Sequence, residues 1–251
     1  MIKILISGAN GRMGKKVKEA CDISDVCVAV CGVNRAEDFT NKSFPVYADF
    51  KDVKEDVDVV IDFSAPSNLN NVLGFITDKN TGAVLCATGY SDEQEQAVKN
   101  ASKKRAVFRS ANMSLGVNVL INAVRTAAKQ LYGFDVEIIE KHHNKKADAP
   151  SGTALMIANA IKNELPEKTY VFGREGNVGK RTKEEIGIHA VRGGNIVGEH
   201  DVLFAGENEM LTFSHSAFDR AVFADGAIKA AAFISDKPCG LYDMNDLLSA
   251  K

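Results

Sequence analysis

The chain has 251 residues, 45% hydrophobic and 25% charged, enough for one large or two modest globular domains. A formal charge of −2 excludes a general attraction to nucleic acid or anionic membrane, so any anion site must be a local concentration of charge. Five cysteines, an odd number with no CxxC pair, exclude a disulfide framework and fit reduced thiols in a cytoplasmic protein. No apolar run approaches the roughly 20 residues that span a bilayer, and the start MIKILIS is too short for a signal peptide.

Apolar runs of strand length alternate with helical periodicity from the first residue. IKILIS precedes a helical pattern over 15–23. VCVAVCGV and DVVIDFS follow, then a helix over 69–79, AVLCATG, a helix over 93–104 and AVFRSA. That alternation predicts a parallel sheet wound with helices, and near-continuous apolar strands predict a sheet covered on both faces. After Asn112 come a helix over 115–131, the strand DVEIIEKHH and a helix over 153–165. The runs IGIHAVRGG, EHDVLFAG and EMLTFSHSA then lack intervening helices, which predicts antiparallel or mixed pairing. Residues 220–234 and then GLYDMNDLL read as helix and are expected to return to the first domain. The fold class is α/β: a Rossmann-like domain (1–112 with 218–251), of the kind that binds dinucleotides, plus an α+β domain with a mixed sheet (113–217).

The first strand runs straight into GANGRMG, Gly8 to Gly14, and then into a helix. Glycines there allow positive φ and close backbone approach, and a helix start favours a phosphate group. The alternative is a merely tight turn. A P-loop is excluded because no Gly-Lys-Ser/Thr follows. Where an NAD site usually places an acid, at the end of the second strand, stand Asn34 and Arg35. Asn34 can bond a hydroxyl without repelling a 2′-phosphate, and Arg35 could pair with that phosphate or stack on adenine. A solvated turn is the plainer alternative. Cys27 and Cys31, with Cys21 nearby, read as buried hydrophobes rather than metal ligands.

EKHHNKKADAPSGTA, Glu140 to Ala154, gathers Lys141, His142, His143, Lys145 and Lys146 into six positions. So many cations repel one another unless an anion or solvent compensates. Adjacent histidines point to opposite sides of a strand unless the strand has ended, and the spacing suits no metal. Behind the cluster, Ser151 is a good N-cap, with Leu155, Ala158, Ile161 and Leu165 as the following helix's apolar stripe. Gly152 and Thr153 open its first turn, an anion site by geometry. A cationic cluster beside a helix start suits a small dicarboxylate held at both ends.

These residues resemble a known family. GANGRMG, DFSAP (62–66), ATG (87–89), ANMSLGVN (111–118), EKHHNKKADAPSGTA, VRGGNIVGEH (191–200) and FADGAI (223–228) are similar to 4-hydroxy-tetrahydrodipicolinate reductase, long called dihydrodipicolinate reductase, across essentially the whole chain. The resemblance implies NADH- or NADPH-dependent reduction of a cyclic dicarboxylate imine in lysine and diaminopimelate biosynthesis, by a cytoplasmic homotetramer in which 113–217 is the substrate-binding and oligomerisation domain. It implies His142 as acid/base and Lys146 as second proton donor, with His143, Gly152 and Thr153 binding substrate carboxylate. It implies cofactor contacts at Gly8, Ala9, Asn10, Gly11, Arg12, Met13, Asn34, Arg35, Cys86, Ala87, Thr88, Ser110, Ala111, Asn112 and Met113, and no metal, nucleic-acid or membrane partner. The chain departs from the pattern at CATG, at Asn34 and at Met113, where an aromatic is often found. Another two-domain NAD(P)-dependent dehydrogenase or a non-catalytic dinucleotide sensor would share the glycine turn without needing KHHNKK.

Overall fold

The computed structural model describes residues 1–35 and 44–250, and the chain divides into two compact units, 1–115 with 220–251 and 116–219. In the first unit the order is β1 (Ile2–Ser7), α1 (Arg12–Asp22), β2 (Cys27–Val33), β3 (Val46–Tyr47), β4 (Val59–Asp62), α2 (Leu69–Lys79), β5 (Gly82–Leu85), α3 (Asp92–Ser102) and β6 (Ala106–Arg109). The second unit carries α4 (Leu115–Gln130), β7 (Asp135–His142), α5 (Gly152–Glu164), β8 (Thr169–Phe172), β9 (Glu185–Arg192), β10 (Gly198–Ala205) and β11 (Met210–Ala217). The chain then rejoins the first unit with α6 (Ala221–Ser235), β12 (Gly240–Tyr242) and α7 (Met244–Ser249).

The first unit's sheet runs β12-β6-β5-β4-β1-β2-β3, with all pairs parallel. Its order reverses between β1 and β4, so their carboxyl ends flank the switch point at which ligands bind in such sheets. Both faces are buried, as the continuous apolar strands predict. Ile4, Ile6 and Ile61 pack under α1 and α6, while Leu5, Val60 and Leu85 pack under α2 and α3. Helix α6 buries Ala224, Ala227, Ala230 and Ala231, small residues that let it lie close to the sheet. A Cβ at Gly226 would stand 1.8 Å from the Met113 carbonyl oxygen, and Met113 itself is buried in this core. Residues 113–115 therefore belong with the first unit, and 218–219 with the second.

The second unit's sheet is mixed, in the order β11-β10-β7-β9-β8, with β10 antiparallel to both neighbours and β7, β8 and β9 mutually parallel. Apolar residues of α4 and α5 cover one face, against Val136, Ile138, Ile186, Val202 and Phe204. Two expectations are corrected, and one strand is added. GLYDMNDLL opens as strand β12 beside β6, and its helix begins only after Asp243, whose side chain caps α7. The added strand is β8 at the sheet edge, four residues long and too short to show a period. In the expected stripe of α5, Ala158, Ile161 and Leu165 are buried, but Leu155 is only partly so, and Ala154, Ile157 and Ala160 are buried in addition.

Candidate active site

In the first unit, β1 ends at Ser7 and Gly8 turns the chain with φ of 81°, a conformation that glycine takes without strain. Gly11 is the N-cap of α1, and a Cβ at Gly14 would lie 2.2 Å from the Gly8 carbonyl oxygen. Only glycine lets the helix start so close to the turn. A cavity of about 530 Å³ opens beside it, lined by Gly8, Gly11, Asn34, Arg35, Phe63 and Ser64 among others. Asn10 is buried, and neither its amide nitrogen nor its amide oxygen has a partner among the described residues. A buried amide left unpaired costs free energy until a ligand or water satisfies it. The turn, the helix start, the cavity and this amide fit a dinucleotide.

The other expected cofactor residues surround the same sheet end. Arg12 is exposed and Met13 partly so, while Ala9 is buried. Cys86 and Ala87 are buried after β5 and Thr88 is exposed. Burial pushes the Cys86 thiol well above its ordinary value, so it is a packing group rather than a nucleophile. Ser110 donates from Oγ to the Asn112 carbonyl at 2.7 Å, and the Asn112 side chain accepts from the Ser114 N–H at 2.9 Å, folding 110–114 into a tight bend. Ala111 lies exposed in that bend, and Met113 is buried. Cys21, Cys27 and Cys31 are buried, as expected of small hydrophobes, and all five cysteines are free.

Arg109 is a residue the sequence did not single out. It donates to the Ala87 carbonyl at 2.9 Å, pairs with Glu95 at 2.8 Å and lies over the Tyr90 ring at 4.1 Å, which clamps the CATG loop.

In the second unit, alternation along β7 sends Val136, Ile138, Glu140 and His142 to the helix-covered face. The first two enter the apolar core. The last two meet the start of α5. Glu140 is fully buried and accepts four hydrogen bonds: Arg192 Nη1 and Nη2 at 2.7 Å each, the Ser151 N–H at 2.9 Å and His142 Nδ1 at 2.6 Å. Burial alone would raise its pKa. The bonds from Arg192, His142 and Ser151 outweigh that and hold it below its ordinary value. An ionised carboxylate only accepts, so His142 donates from Nδ1 and exchanges protons at Nε2.

Nε2 faces Gly198, where a Cβ would stand 3.1 Å away. His200 meets His142 edge to face at 5.3 Å, and its Nε2 lies 3.1 Å from Ser151 Oγ, which caps α5 by accepting from the Ala154 N–H. Burial, and next the neighbouring His142, lower His200 to about 4, so it is neutral near pH 7.

Strand β7 ends at His142, so alternation no longer governs His143, whose buried Nδ1 has no partner among the described residues. Backbone bonds from Asn144 to Gly194 and from Gly193 to His142 pin the following turn. Lys146 pairs with Asp148 at 2.8 Å, and Gly152 and Thr153 begin α5 behind the Ser151 cap.

Three of the five members of the expected cationic cluster have carboxylate partners within the chain, so a bound anion is not needed to compensate them. Lys141 lies on the opposite face with Glu199 at 3.1 Å and Asp201 at 3.0 Å, Lys146 has Asp148, and His142 has Glu140. Crowding in sequence is not crowding in space, because strand alternation sends neighbours apart. The chief cause of the lowered His142 pKa is likewise burial, with Lys146 and Arg192 adding to it against Glu140.

The model of the dihydrodipicolinate reductase N-terminus matches residues 2–113, and that of its C-terminus matches 116–248. The chain belongs to the dihydrodipicolinate reductase family. It is 53% identical to the 4-hydroxy-tetrahydrodipicolinate reductase of Caldanaerobacter subterraneus subsp. tengcongensis, over 99% of this chain and 98% of that one. To the enzyme of the same name from Clostridium tetani it is 47% identical, over 100% of this chain and 98% of that one. The dipicolinate-bound dihydrodipicolinate reductase of Paenisporosarcina sp. TG-14 superposes with a TM-score of 0.80 at 25% identity, covering 98% and 99% of the two chains. Membership in this reductase family, with a Rossmann-like nucleotide-binding domain, implies a nicotinamide cofactor. No helix among the described residues is long and apolar enough to cross a membrane.

Glu140, Arg192 and His200 are the site residues of this unit that the sequence did not single out, and the expected cap Ser151 also meets His200. The alternation that buries Val136 and Ile138 also buries Glu140, a signal that was available. Arg192 required the β7–β9 register, which places it across from His142.

Proposed function

We propose that the protein reduces 4-hydroxy-tetrahydrodipicolinate to tetrahydrodipicolinate for lysine and diaminopimelate biosynthesis, with NADH or NADPH. The observation that carries this is the His142 imidazole, held by buried Glu140 beside the capped start of α5. Overall, the 4-hydroxyl leaves as water with a proton from the neighbouring ring carbon, and the unsaturated ring that results gains one hydride and one proton. The nicotinamide supplies the hydride when bound. Gly8 to Met13, Asn34 and Arg35, Cys86 to Thr88 and Ser110 to Met113 are the residues that would hold the cofactor.

His142 Nε2–H gives the proton that follows hydride arrival, since Nδ1 is committed to Glu140. Lys146 is the second proton donor and places positive charge near the developing negative charge. Gly152 and Thr153 offer first-turn N–H groups to one carboxylate, and His143 binds substrate carboxylate from the loop. Dipicolinate, named in the Paenisporosarcina structure, is a cyclic dicarboxylate of this kind.

The reading extends to a cytoplasmic homotetramer assembled through the second unit's sheet. The exposed Val191 on β9 and Met210 and Leu211 on β11 support it as apolar surface that a partner would cover. The test is loss of nicotinamide absorbance when freshly made substrate is added, together with calorimetry of dipicolinate with and without cofactor. Turnover is expected, with dipicolinate binding strengthened by cofactor. Cofactor binding without turnover would leave only a sensor, and turnover of another hydroxylated substrate alone would make it a different dehydrogenase.

A further inference from the structure

His142 alone does not explain why a fully buried carboxylate should hold it. A carboxylate facing only a histidine stabilises the imidazolium, which makes a poorer acid. Here Glu140 is shared. The Arg192 guanidinium spans both of its oxygens at 2.7 Å, and His142 Nδ1 takes a second position on Oε2. Arg192 is charged at every working pH. With His142 neutral, the pair is one anion and one cation. Protonating His142 adds a second cation to a buried site with a single negative charge.

Arg192 also stands directly across the parallel ladder from His142, and it donates from Nη2 to the Asp148 carbonyl at 2.8 Å. It therefore ties the Glu140 carboxylate to the loop that carries Lys146. We propose that Arg192 governs how readily His142 gives up its proton, acting through the shared carboxylate of Glu140. Arg192 is thus a positioning residue for the reaction proposed above, and the inference rests on that reading.

The groups facing His142 come from every element around it. Glu140 lies on β7, Arg192 on β9, His200 on β10 with His215 paired beside it on β11, and Lys146 with Asp148 in the loop. Burial is the largest influence on its titration, Glu140 opposes it, and Lys146 and Arg192 reinforce it. His200, held neutral by burial, contributes shape rather than charge near pH 7.

The test is a histidine-resolved NMR titration of the free, full-length protein. Arg192→Gln keeps hydrogen-bond donors for Glu140 but removes the charge, and the His142 midpoint is expected to rise by about one pH unit. Arg192→Lys, which keeps the charge and loses the fork, is expected to return the midpoint most of the way. Glu140→Gln is expected to lower the midpoint and to weaken the preference for a proton on Nδ1. An unmoved midpoint in Arg192→Gln overturns the proposal, as do equal shifts in the Gln and Lys variants, which would make packing the cause. If Arg192→Gln does not fold, a Lys variant with a wild-type midpoint alongside a lowered one in Glu140→Gln supports charge coupling, and an unmoved midpoint in Glu140→Gln refutes it. The basic limb of kcat/KM is expected to track the NMR midpoint. A limb that stays fixed while the midpoint moves sinks His142 as proton donor and leaves the Arg192 coupling standing.

Discussion

The two units build their sites from different material. In the first, the turn from Gly8 to Gly14 shapes backbone, and the buried unpaired group within that turn is the neutral amide of Asn10. In the second, the site is a set of ionised and titratable side chains locked by short hydrogen bonds around Glu140. Backbone recognition depends on shape and tolerates changes in side-chain chemistry. A charge network does not, because removing one member leaves a buried partner uncompensated. The second unit should therefore show large, pH-dependent losses from single substitutions, and the first smaller ones confined to cofactor affinity.

The largest effect is expected at His142. Gln at this position can still bond Glu140 but cannot donate a proton at neutral pH, so kcat should fall by about 10² to 10⁴ with little change in KM. Lys146→Ala should lower kcat and raise KM together, since it removes a cation and leaves Asp148 without its 2.8 Å partner. Steady-state kinetics decide both. A normal kcat with a raised KM in His142→Gln would make His142 a carboxylate binder and erase the contrast between the units.

How much of this was readable in the sequence follows the same division. The glycine turn was legible because strand, turn and helix are contiguous, and so was the Ser151 cap, because capping is local. The Glu140 network was not, because it joins β7, β9 and the start of α5, and only tertiary register brings Arg192 to Glu140. The cluster at 141–146 suggested repulsion, yet Lys141 proved to serve the opposite face, where Glu199 and Asp201 wait on β10. The short strands β8 and β12 carry too few residues to show a period. The clamp of Arg109 on the CATG loop joins residues far apart in the chain.

A second effect is in stability. His200 is buried and titrates near 4 against an ordinary value of 6.5. A histidine whose folded pKa lies below its unfolded one binds fewer protons when folded, so stability rises with pH and is lost as pH falls from about 6.5 toward 4. The loss across that window is on the order of 3 kcal/mol. His200→Gln keeps a polar partner for Ser151 and cannot titrate, so its melting temperature should fall less steeply than that of the wild type over this range. Parallel curves would mean that another group carries the acid sensitivity.

The smallest expected effect sharpens the comparison from the other side. Arg35 is exposed and lines the cavity beside the glycine turn, next to Asn34, whose backbone N–H is fixed on the Tyr47 carbonyl at 3.0 Å. Asn34 carries no charge to repel a 2′-phosphate, so both NADH and NADPH should bind. An exposed guanidinium gains little from a distant charge but more from a phosphate it can grip with two N–H groups. Arg35→Ala should therefore weaken NADPH by about tenfold, roughly 1.4 kcal/mol, and leave NADH nearly unchanged. Calorimetry with each cofactor measures this directly. Equal losses would show that Arg35 stacks on adenine and does not read the phosphate, and losses of a hundredfold or more for both would show that the first unit depends on a charged side chain as heavily as the second does.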